Sequence, residues 1–466
     1  MISTISDRKV VVTVCKAERP MLAINQFTLA CALMSGTIAF AQKPVSDVPA
    51  LPLTEAIQIA LSNNRPVEIS KLDITKSNWQ VAATKSKRFP EINTYFFGSG
   101  NLTPASFTFK KGIFPNGDLP PVPSKDVSIE LSQAFTGYVF AQVAQPLTQL
   151  YKIKLAVREQ ELEVELAKAK YQGNRQSVVA DVKQAYYAVL QTESALVAAE
   201  VTVAGYKETD RVMLEYLSEE SVLKSNSLEV KAKLAQAQYQ VAELNDTLQT
   251  QKEKLNDLLG RDIDTPFRTQ PVAAVSSEEI DLKLARQIAL KQRPEIQEAE
   301  IDTHRAEYDR RIAKAAYIPD IGIAFHYTSP IGTQILPQNI ASAGVEVKWD
   351  PFDWGERRDN VKQKETAVSQ SKYQLDETRS QVLIDVDNSF RKLSESRLTL
   401  QVAIAARDAA NEKLREVNNE FSKSVVLLRD VLDQQTAVAN ANHDYEQGLL
   451  AFWSAKAQFE KALGEE

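Results

Sequence analysis

Side chains able to do chemistry are few and scattered. Histidine is the usual proton carrier near neutral pH and the commonest metal ligand. It occurs three times in 466 residues, as His304, His326 and His443. None stands at a metal-ligand or triad spacing, and no Gly-rich phosphate loop appears. Both cysteines, Cys15 and Cys31, precede residue 42. Acidic pairs are frequent, but in helical stretches of a chain that is 25% charged they form a solvated face. The chain is therefore expected not to be an enzyme and to need no cofactor or metal, with His326 a strand or interface residue. A net charge of −6 without a separate Lys/Arg cluster gives no reason to expect nucleic-acid binding.

Residues 356–447 contain no glycine and no proline. Val382, Val386, Leu393 and Leu400 fall on one stripe at steps of four and three, completed by Ser389 and Ser396. That is the seam of a helix packed against another helix. At ~1.5 Å per residue, two-thirds of the stretch would reach roughly 90 Å. A compact domain has no use for such a length, so something must be spanned.

The N-terminus reads as a secretory signal over residues 1–41. Arg8, Lys9, Lys16 and Arg19 precede an apolar run from Met21 to Phe40, which ends at Ala39-Phe40-Ala41. Met21 is an alternative start. Thr28-Leu29-Ala30-Cys31 is an imperfect lipidation pattern and the alternative to cleavage after Ala41. Later residues hold no apolar run of about 18, so membrane insertion would have to use strands.

The rest of the chain repeats itself. Ile59-Ala60-Leu61 returns as Ile288-Ala289-Leu290, and Pro90 as Pro319, each 229 residues on. Each half begins with a helix pair, with Thr54 a candidate cap for the first helix. After each proline the pattern alternates, predicting a hairpin in residues 91–145 and another in residues 320–350. Tyr95, Phe96, Phe97, Tyr138 and Phe140 are candidates for an aromatic girdle at a membrane interface. Long helical regions follow, over residues 147–260 and 352–464. The seam Val178, Val182, Ala185, Val189 sits 204 residues before its copy, and the two seams are expected to pack side by side. Breaks near Ser218 to Ser221 and Ser422 to Ser424 would turn a helix of about 65 residues into one of about 35. The units are residues 42–270 and 271–466. Four strands cannot close a barrel, since the smallest bacterial examples use about eight. An open edge cannot face lipid either. Strands that span a membrane must therefore be shared between chains.

In this order the residues resemble the TolC-like outer membrane efflux proteins. The matching stretches are Leu53-Thr54-Glu55-Ala56-Ile57 with Asn63-Asn64, Phe89-Pro90, Gln145-Pro146-Leu147 and Ile318-Pro319. They continue with Asp350-Pro351-Phe352-Asp353-Trp354-Gly355-Glu356-Arg357-Arg358, Asp430-Val431-Leu432-Asp433-Gln434-Gln435 and Ala462-Leu463-Gly464. The resemblance implies a mainly α chain with a β-barrel contribution. Three chains would share a 12-stranded outer membrane barrel, embedded in outer membrane lipid, above a periplasmic coiled-coil tunnel. It implies a homotrimeric exit duct served by a periplasmic adaptor protein and an inner-membrane pump. The alternative is a non-conducting, periplasm-spanning structural or adaptor protein. The resemblance also places an acidic constriction at the periplasmic bend, on Asp430 and Asp433, with Asn226 and Glu229 as first-half counterparts. Clustered carboxylates in a narrow pore attract cations; the alternative is that they are solvated or pair with Arg429. Many relatives carry a glycine before the bend, which neither half has here. Val426 stands where some relatives place a basic residue, leaving Arg429 or Lys423 as the substitute.

Overall fold

The computed structural model describes residues 49–100, 105–114, 117, 119–120, 122–131, 135–218, 223–272, 281–332, 337–423 and 425–465. The signal sequence, both cysteines and Met21 lie outside the described residues.

The chain opens with strand β1 (Ala50–Leu51), then α1 (Leu53–Asn63) and α2 (Arg65–Ser86). Strands β2 (Glu91–Gly100), β3 (Ala105–Phe109), β4 (Val127–Leu131) and β5 (Phe135–Pro146) follow. Next come α3 (Gln149–Ser218), α4 (Lys224–Leu258) and the short β6 (Arg268–Thr269). The second half holds α5 (Leu282–Gln292), α6 (Pro294–Ala315), β7 (Asp320–Ile331), β8 (Ile340–Lys348), α7 (Glu356–Ser422) and α8 (Leu428–Leu463). Both ends of α1 and of α2 recur 229 residues later in α5 and α6, and the start of α4 recurs 204 later in α8. These helix boundaries thus recur at the two spacings read from the sequence, 229 and 204 residues. Helices α3 and α7 have 70 and 67 residues, so each is roughly 100 Å long.

Both helix pairs place a proline in the first turn of their second helix, Pro66 in α2 and Pro294 in α6, but their caps differ. Asn64 caps α2 by accepting the Val67 N–H at 3.3 Å, and Pro66 sits in the first turn where its missing N–H costs nothing. Thr54 is not the cap of α1. The helix begins one residue earlier, with Pro52 in extended conformation at the cap position.

Each long helix buries its seam, but not against its duplicate. Val178, Val182 and Val189 of α3 pack on Ala56 and Ala60 of α1, Leu255 of α4 and Leu450 of α8. Val382, Val386, Leu393 and Leu400 of α7 pack on Ala285 and Ala289 of α5 and Phe452 and Phe459 of α8. Helix α8 lies against both α3 and α7, whereas α3 and α7 share no substantial contact among the described residues. The reason lies in the short helices. Each occupies the seam of its own long helix, leaving α8 to join the halves. Lys183 of α3 reaches Glu460 of α8 at 2.7 Å, largely screened from solvent.

Two glycines close the returning helices. Gly260 and Gly464 are both left-handed, at φ +66° and +86°. A Cβ on Gly260 would stand 2.2 Å from the Asn63 carbonyl oxygen, and one on Gly464 2.9 Å from the Gln292 carbonyl carbon. Each returning helix thus ends against the C-terminus of a short helix, at a spot where only glycine fits.

One clip has no counterpart in the second half among the described residues. Strands β1 and β6 pair in parallel. The fully buried Tyr186 hydroxyl donates to the Leu51 carbonyl at 2.8 Å and accepts the Gln270 N–H at 2.6 Å. Burial pushes this phenol's pKa up. The residue 204 positions on is Phe390, which has no hydroxyl to offer.

Candidate functional site

The four-stranded sheet is antiparallel throughout, in the order β2-β5-β7-β8. Strands β5 and β7 join the two hairpins, so β2 and β8 are the open edges. The separate hairpin β3–β4 lies within the long first loop, where alternation was too short to announce it.

Register sorts every side chain onto one of two faces. Ile92, Thr94 and Phe96 share a face with Val143, Ala141 and Val139, with which they pair. The same face continues through Phe325 and Ile323 to Val345. It is predominantly apolar, with Thr94, Gln145 and Ser329 as its polar members. The opposite face carries Glu91, Asn93, Gln142, His326, Ser342, Glu346 and Lys348. One apolar face and one polar face in strands of nine to twelve residues are what a barrel wall between lipid and water requires.

This register corrects the aromatic girdle. Only Phe96 of the five candidates is on the apolar face, stacked on Phe135 with centroids 6.5 Å apart. Tyr95 pairs with Phe140 and Phe97 with Tyr138 on the polar face. A run of three aromatics necessarily alternates between faces, and composition alone does not reveal that. Below the sheet, Phe352 and Trp354 touch edge to face at 4.7 Å, and Trp354 is 89% exposed. These, with Trp349, are the better interface anchors.

The second half of the site is the bend between α7 and α8. Leu427 is extended and precedes the first helical residue. Asp430 stands in the first turn, and its carboxylate accepts the Leu427 N–H at 3.0 Å. A carboxylate there meets unsatisfied N–H groups and the positive end of the helix dipole. Asp433 follows one turn later. Arg429 approaches both, at 3.7 Å from Asp430 and 3.8 Å from Asp433. The structure therefore brings these three residues together. The pairs are long, and Arg429 and Asp433 are mostly exposed, so each contributes little binding energy. Arg429 rather than Lys423 is the cation in reach, and Val426 is half-buried.

The first-half counterparts behave differently. Asn226 occupies the first turn of α4, with its N–H on the Leu223 carbonyl at 3.0 Å. Glu229 pairs with Lys233 at 3.2 Å. Helices α4 and α8 share no substantial contact among the described residues; the start of α8 runs instead beside the distal part of α3, with Gly205 against Thr436. The histidines lie on α6, β7 and α8. His443 lines a groove of about 610 Å³ between α3 and α8, with Val197 and Val438. Among the described residues no cluster of His, Cys, Asp or Glu has the makings of a metal site, and no helix is long and apolar enough to cross a membrane.

The chain matches the sequence profile described as outer membrane efflux protein over residues 56–261 and 285–465. It is 22% identical over 435 residues to the outer membrane efflux protein BepC of Brucella suis, covering 91% of this chain and 88% of BepC. The alkaline protease secretion protein AprF of Pseudomonas aeruginosa is 20% identical over 308 residues, 63% of this chain and 62% of AprF. The outer membrane channel CmeC of Campylobacter jejuni has the same fold: its TM-score is 0.72 at 16% identity, over 88% of this chain and 85% of CmeC.

Proposed function

The chain belongs to the outer membrane efflux protein family, as an outer membrane exit duct for efflux or secretion, and from that premise we propose how the duct is assembled and gated. Three copies close one barrel, β8 of each pairing with β2 of the next. The observation that carries this is the sheet. Its four strands have one lipid-compatible face, one polar face and two unpaired edges. Unpaired backbone groups in hydrocarbon cost several kcal/mol each, so the edges must be covered, and identical copies cover them without further protein. Residues 42–270 and 271–466 act as two structural repeats, each supplying one hairpin and one long helical hairpin. The duct is passive. Cargo arrives from an inner-membrane pump through a periplasmic adaptor.

The bend at Asp430 and Asp433 is the periplasmic constriction. One arginine and two carboxylates leave one net negative charge per chain, or three in a ring of three chains. Such a ring favours cations and opens when a partner draws the helices apart. Asn226 and Glu229 line the alternate bends, where the Lys233 pair cancels Glu229.

Deletion and bilayer recording test this together. Cells lacking the protein should become sensitive to toxic compounds. Asp430→Asn with Asp433→Asn should lower the cation-to-anion permeability ratio several-fold without loss of trimer. Unchanged selectivity in that double variant would remove the constriction from this bend.

A further inference from the structure

The polar face of the sheet carries more aromatic surface than a water-filled lumen requires. Tyr95 and Phe140 stand directly opposite each other, with ring centroids 6.2 Å apart and planes tilted by 39°. Phe140 lies 5.9 Å from the His326 ring on the next strand, tilted by 38°. Phe97 and Tyr138 form the adjacent row. The band crosses β2 and β5 and reaches His326 on β7, where the rings stop: at the Tyr95 and Phe140 level the register continues through Thr328 of β7 to Ile340 of β8, and beside His326 stands Ser342. Tyr95 and Phe97 are each 61% exposed. Keeping rings in water costs the free energy that burial would recover. A contiguous exposed apolar patch rimmed by polar groups marks a place where something binds.

Charge indicates what binds. At the end of the sheet where β2 begins, Glu91, Asp320 and Glu346 share the face with the rings. Lys152 takes up Asp320 at 2.6 Å, and Lys348 stands opposite Asp320. Cargo moving outward meets carboxylates first and π faces next. Carboxylates concentrate cations, and ring faces attract both cations and flat aromatic groups.

We infer that the band formed by Tyr95, Phe97, Tyr138 and Phe140 is a lumenal subsite for planar aromatic cations, one per chain. The inference rests on the duct reading, since this face is wetted by cargo only when the sheets close into a barrel. An aliphatic cation of the same charge is held by the carboxylates alone.

The test is block of ionic current through purified trimers in planar bilayers, with ethidium as the planar aromatic cation and tetrabutylammonium as the aliphatic one. Ethidium should block the wild type. Tyr95→Leu combined with Phe140→Leu should raise its blocking concentration about tenfold, leaving tetrabutylammonium block within twofold. Phe97→Leu with Tyr138→Leu is a second variant with the same expectation, which protects the test against one that fails to assemble. Tyr95→Phe should retain block, and so should Phe96→Leu, which alters the lipid face. The inference is overturned if the double variants block like wild type, or if they lose both blockers equally. A channel that conducts but ignores ethidium overturns the subsite and leaves the duct standing. Absence of conductance overturns the duct reading and the subsite with it.

Discussion

Arginine placed at two consecutive residues separates the two faces of the sheet. Phe96 is the sixth residue of ten in β2, near the middle of the strand, and points to the apolar face opposite Val139. Phe97 is its neighbour and points to the polar face opposite Tyr138. An arginine on the lipid face at mid-depth costs about 2–4 kcal/mol. Each chain contributes one, and well-separated sites add, so a three-chain barrel loses roughly 6–12 kcal/mol. At the Phe97 position the guanidinium projects into water. The loss there is confined to packing on Tyr138, about 0.5–1.5 kcal/mol per chain. Each variant is expressed, and heat-resistant trimer is measured in isolated outer membranes. Phe96→Arg is expected to reduce assembled trimer at least tenfold, and Phe97→Arg to stay within about twofold of wild type. Equal losses, or the reverse order, would refute the assignment of lipid and lumen faces.

Three further outcomes follow from the helical part. Tyr186→Phe removes the hydroxyl that serves both Leu51 and Gln270. One buried and one part-buried backbone group are orphaned, for a loss of about 1–3 kcal/mol, read as a lower urea midpoint at unchanged slope. Gly260→Ala should depress the thermal midpoint more than Gly464→Ala, since its Cβ would meet a carbonyl oxygen at 2.2 Å rather than a carbonyl carbon at 2.9 Å. Asp387 is held below the usual carboxylate range, first by its hydrogen bonds from Arg286 at 2.9 and 2.6 Å. A lowered folded-state value means stability that is present above the ordinary aspartate range and lost as pH falls through the lowered one. Thermal melts between neutral and acid pH should show that loss, and Asp387→Asn should flatten this part of the profile.

Long-range periodicity was legible in the sequence because the helices are long. Val382, Val386, Leu393 and Leu400 announce a buried stripe, and their copies 204 residues earlier announce the duplication. The packing partner of that stripe was not legible. A stripe states that a face is buried, and only the third dimension shows that α5 and α8 cover it, not α3. Sheet faces failed for a related reason. Tyr95-Phe96-Phe97 is apolar at every position, so alternation assigns none of them, and pairing with β5 does. The β1–β6 clip is two residues long on each side and too short for any period. Its one signal is the change from Tyr186 to Phe390 between the repeats. Asp430 and Asp433 came from resemblance alone. Leucine at position 427 is a poor cap, and nothing local marks the helix start except Asp430 itself, which takes the Leu427 N–H.

The central claim is that one four-stranded sheet is a third of a barrel. Native mass and single-channel conductance, measured on the same detergent-purified fraction from outer membranes, test it most directly. Particles of three chains giving one uniform, cation-preferring conductance step are the expected result. Particles of one or two chains, or three-chain particles that insert without carrying current, would contradict it.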